Sequence, residues 1–560
     1  MTALPPLSRP DPSSPADCPA SLPGDCSDLP QGGLSVAYIQ AEEFLLSLVN
    51  YEKQPPPMCS DTEGWHLREF GRMLAGMGHP ERAFPILHVA GTKGKGSTTR
   101  FLSTLLTAQG YKRVGSFTSP HIEWFRERIA LNNQPVSEAA FVDALEAARA
   151  VLPQHPGEGF RTTFEVLTAM AFEIFRRERC EAVVLETGMG GRLDCTNVAT
   201  ARLALITAIG FDHQKVLGKT LGQIAREKAG IIKPGTGVAL VGPQPLGRMR
   251  LVGRVAREQA AAAGVPLEIY DARRDPIRRA EASQRGFELD VAVGISSPRA
   301  LAPREKTPSV LSPQHSALST QPSALSTQPS ALSPQPSVLT PQSSALSTQH
   351  SALSTQHSAL STQHSALLRG VVFPMLGRHQ LDNLRAALMA LEAFARLEGR
   401  AVDPKGVRRG IEACRVPGRL EVVRWEPPVL LDGAHCPLSA RAAGQACAEH
   451  FPGRDMILVL GMMADKKIEA ILSNLRRFGG AAQVFAYTAP SPRACPEETL
   501  AKLARRHFPW VETCGTMEKA LEHALAAQGS RPGALVLCTG TFYGIAQARR
   551  FLSCPRTSTD

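Results

Sequence analysis

No C-x-x-C spacing occurs among the 12 cysteines, which are scattered over 560 residues. Nothing else in the chain suggests export, so neither a paired-cysteine metal site nor a disulfide framework is expected, and a reduced cytoplasmic setting is predicted. Long apolar runs are also missing. None approaches the ~20 residues of a helical membrane span. The opening Met1-Thr2-Ala3-Leu4-Pro5-Pro6 lacks the basic region and apolar core of an export leader. Basic runs interleaved with aromatics are absent as well. The formal charge of +11 is spread over the whole chain, which suits anionic ligands without indicating nucleic acid.

What the chain does have is length and apolar content. With 43% hydrophobic residues in 560, and domains of roughly 100–200 residues, two folded units with unstructured additions are expected. Residues 1–35 are rich in Pro, Ser, Asp and Gly and read as a disordered tail. Helical apolar spacing over Tyr38–Val49 and Trp65–Leu74 predicts two helices, expected to cover a sheet edge. Beyond them strand-like runs at 113–117, 182–185, 203–206 and 238–241 alternate with helical runs at 137–151 and 164–177. This alternation predicts an α/β fold with a doubly wound, mostly parallel sheet, whose ligands gather at the carboxyl ends of strands.

From Ser309 to His364 a seven-residue unit repeats, cleanly so in Ser351-Ala352-Leu353-Ser354-Thr355-Gln356-His357. A coiled coil is excluded, because each unit offers one Leu and one small Ala or Val, several units carry Pro, and charge pairs are missing. The tract histidines His315, His350, His357 and His364 invite a metal reading. A polar segment of this kind, however, cannot bury enough apolar surface to order itself, and a disordered insertion over 296–368 is predicted. A helix from about Asn383 to Leu397 follows, then a second, smaller α/β unit with strands at 429–431, 456–460, 483–487 and 534–538. The expected division is a first unit over 36–412 containing the insertion, a second over 413–552, and a tail from 553 to 560.

One stretch carries most of the chemistry. The apolar run Ile86–Ala90 meets Gly91-Thr92-Lys93-Gly94-Lys95-Gly96-Ser97-Thr98-Thr99, and Arg100–Leu106 opens as a helix. Strand, glycine loop and helix make a phosphate cradle. Backbone N–H groups turn inward, the helix terminus adds partial positive charge, and Lys95 can reach the outer phosphates. Ser97 would face a metal ion. The general Walker pattern is not met, since Val89 takes its first glycine position and Gly96 separates Lys95 from Ser97; a glycine-rich linker is the competing reading. Glu186 follows a strand and would reach the same sheet edge, where one carboxylate, one hydroxyl and phosphates form the oxygen shell that Mg2+ takes. A cap or turn residue is the alternative there. Asp212-His213 repeats the arrangement one strand along. Lys228 and Lys233 lie at the end of a helix, where lysines also occur simply to satisfy the dipole.

Taken in order, Gly91–Ser97, Thr118-Ser119-Pro120-His121, Gly190–Asp194, Asp212-His213, Glu227–Lys233, Gly377–Asn383, Pro417–Glu421, Leu431–His435 and Thr539-Gly540 resemble the successive signatures of the folylpolyglutamate synthases. That family includes a bifunctional dihydrofolate synthase form and is a branch of the Mur ligase superfamily. The resemblance covers about Tyr38 to Leu552, without the repeat. It implies a P-loop ATPase unit of Mur-ligase type followed by a Rossmann-like unit, in a monomer. The reaction implied is ATP-dependent amide formation: a dihydropteroate or reduced-folate carboxylate takes the γ-phosphoryl group, and the amine of L-glutamate attacks the acyl phosphate.

By the same resemblance Gly91, Thr92, Gly94, Lys95, Gly96, Ser97 and Thr98 hold ATP, and Lys95, Glu186, His213 and Lys228 are the catalytic residues. Ser97 and Glu186 match ligands of a first Mg2+, while His213 and a carbamylated Lys228 match those of a second. Asn383, Arg419, Asp432 and His435 match positions through which the second unit closes on ATP. Thr118, Ser119, Pro120 and His121 match a mobile loop beside the pterin site. Four residues depart from the family pattern. Lys93, Arg126 and Cys436 stand where it has Asn, and Leu384 where it has Ala. A peptidoglycan Mur ligase acting on a UDP-muramoyl acid is the nearest rival, but only about 50 residues expected to be ordered precede the loop. An inactive nucleotide-binding homologue is the other, and the joint presence of Lys95, Ser97, Glu186, His213 and Lys228 argues against it.

Overall fold

The computed structural model describes residues 34–49, 65–152, 162–295, 364–480, 483–531 and 533–553. Helices α1 (Val36–Ser47) and α2 (Trp65–Gly76) precede β1 (Ile86–Ala90), which leads through the glycine loop into α3 (Lys95–Ala108). β2 (Val114–Phe117) and the short β3 (Ile129–Leu131) and β4 (Gln134–Pro135) come next, followed by α4 (Glu138–Arg149) and α5 (Thr163–Arg177). Then β5 (Ala182–Glu186), β6 (Leu203–Ile206), α6 (Gln214–Leu217), α7 (Leu221–Ala229), β7 (Val238–Val241), α8 (Met249–Ala263) and β8 (Leu267–Ile269) complete the first sheet. Its order is β4-β3-β2-β5-β1-β6-β7-β8. The six strands from β2 to β8 in that order pair in parallel, and β3 and β4 add an antiparallel flank.

Every residue of β1, β5, β6 and β7 is buried, because helices cover both faces of a parallel sheet. Alternation along β1 divides the core. Leu87 and Val89 face one helical layer, and Ile86 faces the other, built on α4 and α5. The chain leaves β1 for β2 on one side and later returns to β6 on the other, so the carboxyl end of β1 is a topological switch point. The sheet-edge position expected for the first two helices is corrected. α1 packs on α4 and α5, with Tyr38 edge-on to Phe141 at 5.2 Å, and α2 packs on the turn Cys195–Val198. Their apolar stripes match helices, which form a second layer over one face.

β9 (Ile277–Ser283), β10 (Gly286–Ile295) and β11 (His364–Phe373) form an antiparallel three-stranded sheet, and α9 (Arg378–Leu397) and α10 (Pro404–Glu412) then pack on α3. The predicted insertion is therefore shorter than 296–368. Residues 296–363 lie outside the described residues, but His364 to Leu368 pair with Ile295 to Val291. Ala366, Leu367 and Leu368 give this last stretch the apolar content that the repeats lack, and Leu368 packs against the core. α9 also begins earlier than Asn383, at Arg378. The predicted tails at 1–35 and 553–560 lie outside the described residues except for Leu34, Ser35 and Ser553; Ser35 caps α1 through Tyr38 N at 3.3 Å.

The second sheet comes from β12 (Glu421–Trp425), β13 (Pro428–Leu431), α11 (Pro437–His450), β14 (Met456–Leu460), α12 (Ile468–Gly479) and β15 (Gln483–Ala486), followed by α13 (Glu497–Ala504), β16 (Trp510–Thr513), α14 (Met517–Gly529), β17 (Leu535–Thr539) and α15 (Phe542–Ser553). Its order is β12-β13-β17-β14-β15-β16, parallel except for β12. His450 joins the two units. Its Nε2 accepts from Gly377 N at 3.1 Å, and its Nδ1 donates to Ser283 O at 2.6 Å.

Candidate active site

The glycine loop is held by the loop that follows β6. Thr92 N and Lys93 N both donate to Ala208 O, at 2.9 and 3.1 Å. Thr207 Oγ1 donates to Lys93 O at 3.0 Å, and Gly210 N donates to Thr92 Oγ1 at 3.0 Å. Gly94 caps α3 with φ of 87°, a left-handed value that favours glycine, and a Cβ there would overlap Asn383 Oδ1. Gly96 serves a different need. A Cβ there would stand 3.2 Å from Glu186 Oε2, so the extra residue that breaks the Walker spacing is the one that lets the acid approach α3. The first N–H groups of α3 have no intrahelical partner and point out of its terminus.

Lys95 Nζ lies 3.9 Å from Glu186 Oε1, with both side chains largely buried. Glu186 Oε2 accepts from Ser119 N at 3.0 Å. Burial pushes the Glu186 carboxyl above its ordinary range, opposed by Lys95, Ser119 N–H, Arg419 and Arg128. Ser97 is buried at the same helix start. Thr98 is fully buried, and its hydroxyl has no hydrogen-bond partner among the described residues.

A second group lies across the loop. Lys228, at the end of α7, is buried and its Nζ donates to Gly91 O at 2.8 Å. Burial, reinforced by the Lys95 charge, pulls its amine down to about 7. His213, with φ of 45°, begins α6, and its Nε2 stands 3.8 Å from Asp212 Oδ1. Its imidazole is held below its ordinary range, chiefly by burial. Lys93 Nζ lies 3.6 Å from Asp212 Oδ2. Burial pushes the Asp212 carboxyl up, but Lys93, His213, Lys95 and Lys228 outweigh it and hold it low. Thus Lys93, the odd residue of the loop, has an ionic partner.

The loop Thr118–His121 is tied at both ends. Thr118 N donates to Arg128 O at 2.9 Å, and Arg128 Nε donates to His121 Nδ1 at 2.9 Å. The Ser119-Pro120 peptide is cis, and His121 sits edge-on to Phe125 at 4.5 Å. From the second unit, Arg419 lies over the Phe542 ring at 4.7 Å while its charge acts on Glu186. Asp432, after β13, accepts from Leu420 N and Ala434 N, each at 2.9 Å. His435 Nδ1 donates to Gly433 O at 2.9 Å, and burial pulls this imidazole down to about 4. Asn383 Nδ2 donates to Gln380 Oε1 at 2.8 Å.

The structure therefore gathers Lys95, Ser97, Glu186, Ser119 and Arg419 around one helix start, with Asp212 and His213 beyond the neighbouring strand β6, Lys93 of the glycine loop beside Asp212, and Lys228 reaching Gly91 from the end of α7. Asp432 contacts the loop of Arg419 through backbone groups. Sequence reasoning missed Phe542, Gln380, Arg128 and Thr207 as site residues. Gln380 lies inside the Gly377–Asn383 signature and was the one with a usable signal.

A glycine loop at a helix start, a buried acid facing it and an arginine from the loop ahead of a second sheet are set on the fold of a Mur-type ligase. Residues 89–242 match the Mur ligase middle domain, and residues 418–542 match the Mur ligase glutamate ligase domain. The chain is 30% identical over 497 residues to the dihydrofolate synthase/folylpolyglutamate synthase of Mycobacterium tuberculosis, covering 86% of each chain. It is 28% identical over 487 residues to the enzyme of that name from Bacillus subtilis, covering 86% of this chain and 93% of that one. The solved Mycobacterium tuberculosis folylpolyglutamate synthase complexed with ADP matches at a TM-score of 0.69 and 27% identity, over 93% of this chain and 99% of that one. The chain belongs to the dihydrofolate synthase/folylpolyglutamate synthase family.

Proposed function

We propose that this chain joins L-glutamate to the carboxylate of a pterin-linked acceptor, either dihydropteroate or a reduced folate, with ATP supplying an acyl phosphate. The observation that carries the reading is the convergence on Glu186 of Lys95 from the glycine loop, Ser119 from the 118–121 loop and Arg419 from the second unit. Phosphoryl transfer asks for positioning and for fixed positive charge where negative charge gathers. Lys95 and the N–H groups at the start of α3 hold the phosphates, and Arg419 brings charge as the second unit closes. The acceptor carboxylate attacks the γ-phosphorus, ADP leaves, and the neutral amine of glutamate then displaces phosphate to form the amide.

The donor set fits Mg2+. Ser97 and Glu186 offer a hydroxyl and a carboxylate at one place, the hard oxygen ligands this ion takes. When bound it neutralises phosphate charge. His213 and Lys228 would hold a second ion if Lys228 is carbamylated. An amine held near 7 has a neutral fraction at physiological pH, and that fraction can add carbon dioxide, lose a proton and become an anionic oxygen ligand. Thr118 to His121 border the acid through Ser119 and are assigned to the acceptor side. Asn383, His435 and Asp432 position the lid. A monomer working in the cytoplasm suits small soluble substrates of this kind.

Glutamate-dependent ADP release is the test, run in parallel with dihydropteroate, tetrahydrofolate and a UDP-muramoyl acceptor. Release with either pterin acceptor is expected. Release only with the UDP-sugar would select a peptidoglycan ligase, and release with none would end the enzymatic reading.

A further inference from the structure

The far edge of the second sheet carries a cluster that the ligase reaction does not use. Among the described residues β16 pairs only with β15. Glu512, in β16, and Cys514, just past its end, are two residues apart and so face the same side of the sheet. His523 of α14 meets them there. One ligand atom from each residue lies within 4.8 Å of the other two, the one such group of His, Cys, Asp or Glu among the described residues. His523 Nδ1 donates to Glu512 Oε1 at 2.5 Å. The imidazole stands edge-on to Phe485 at 6.2 Å, and Phe485 packs in turn on Trp510 at 4.8 Å. Packing thus fixes the orientation of the ring. Cys514 is buried, and Glu497 Oε2 accepts from Gly515 N at 2.6 Å, which fixes the turn beyond the thiol. The carboxylates of Glu512 and Glu497 lie near the thiol, and such anionic surroundings welcome a cation.

We propose that Glu512, Cys514 and His523 bind a thiophilic divalent cation of the Zn2+ type, at a site separate from the catalytic centre, which clips edge strand β16 to α14. One sulfur, one imidazole nitrogen and one carboxylate oxygen select Zn2+ over Mg2+, which prefers oxygen throughout. On binding, the His523 ring proton passes through solvent from Nδ1 to Nε2, and the cation takes the Nδ1 lone pair that this frees. The Cys514 thiol gives its proton to solvent. His523 and Glu512 are 49% and 35% exposed, so water can reach the fourth position. Strands β17, β14 and β15 separate the site from the Arg419–His435 end of β13.

The full chain, stripped of metal with a chelator and returned to Mg2+ buffer, is titrated with Co2+. A cobalt–thiolate bond gives a charge-transfer absorption in the near ultraviolet that oxygen and nitrogen ligands do not. One thiolate-linked Co2+ per chain is expected, displaced by Zn2+. The band should vanish in Cys514→Ser, and affinity should fall roughly tenfold or more in Glu512→Gln and His523→Ala. His523 is half exposed, so His523→Ala preserves the fold and decides the matter should the serine variant not fold. No band in the wild type, an equal band in Cys514→Ser, or unchanged affinity in His523→Ala would overturn the proposal. Since the readout is metal and not turnover, its failure leaves the ligase reading untouched.

Discussion

Glu186 and Asp432 are both buried carboxylates at the carboxyl ends of parallel strands, one in each unit, and their surroundings differ in kind. Glu186 meets one backbone N–H, from Ser119, and turns its other oxygen toward the Lys95 ammonium 3.9 Å away. Asp432 has an oxygen on each of two backbone N–H groups, those of Leu420 and Ala434. The first acid keeps an oxygen beside a lysine at the start of α3. The second ties down the loop that carries Arg419. Two sheets with parallel strands thus use a buried carboxylate in opposite ways: one leaves it facing a charged side chain, and the other commits both oxygens to the backbone.

The strongest way to break this contrast is to remove the phosphate side. Lys95→Ala and Glu186→Ala are each expected to lower kcat by at least ~10³-fold with far-UV circular dichroism unchanged. Arg419→Ala should cost about 10²-fold, read as glutamate-dependent ADP release. Asp432→Ala should instead appear first in stability, with a loss of ~1–3 kcal/mol for each N–H left unpaired, measured by urea unfolding. A loss of turnover as deep as that of Glu186→Ala, without any fall in stability, would erase the distinction.

Proton linkage sharpens it. Burial pushes the Asp432 carboxyl from 3.8 up to about 6, against Arg419 and the two N–H groups. The folded state then binds this proton more tightly than the unfolded chain between those values, so the group adds stability as pH falls through about 6, complete below 3.8. Between pH 7 and pH 5 the wild type should gain in urea midpoint on Asp432→Asn; a constant gap would refute the linkage. The smallest effect belongs to Lys93→Asn. Its ammonium is half exposed and stands 3.6 Å from Asp212, so a change below about threefold in KM for ATP is expected, in keeping with a screened surface pair.

The strand, glycine loop and helix start were legible in the sequence, since an apolar run, glycines and a helical run are contiguous there. The parallel sheet followed from alternation, though its strand order did not, and Glu186 was found from its place at the end of a strand. The lid was less legible. Asp432 grips backbone N–H groups twelve and two residues away, which no side-chain pattern announces. Phe542 under Arg419 reads as ordinary core until the fold brings the two together. α9 starts before Asn383 because Gly377, with φ of 88°, turns the chain and lets the helix begin at Arg378. The packing of α1 on other helices, and the strand that begins within the last residues of the expected insertion, depend on partners remote in sequence.

His450 gives the molecule a pivot. One nitrogen takes a hydrogen bond from Gly377 and the other gives one to Ser283, so any rotation of the second unit must carry both along or break them. Gly377 is also the root of α9, and Asn383, about 9 Å further along that rod at 1.5 Å per residue, rests against the glycine loop at Gly94. The contact between the two units at His450 is therefore linked through a single helix to the floor of the glycine loop.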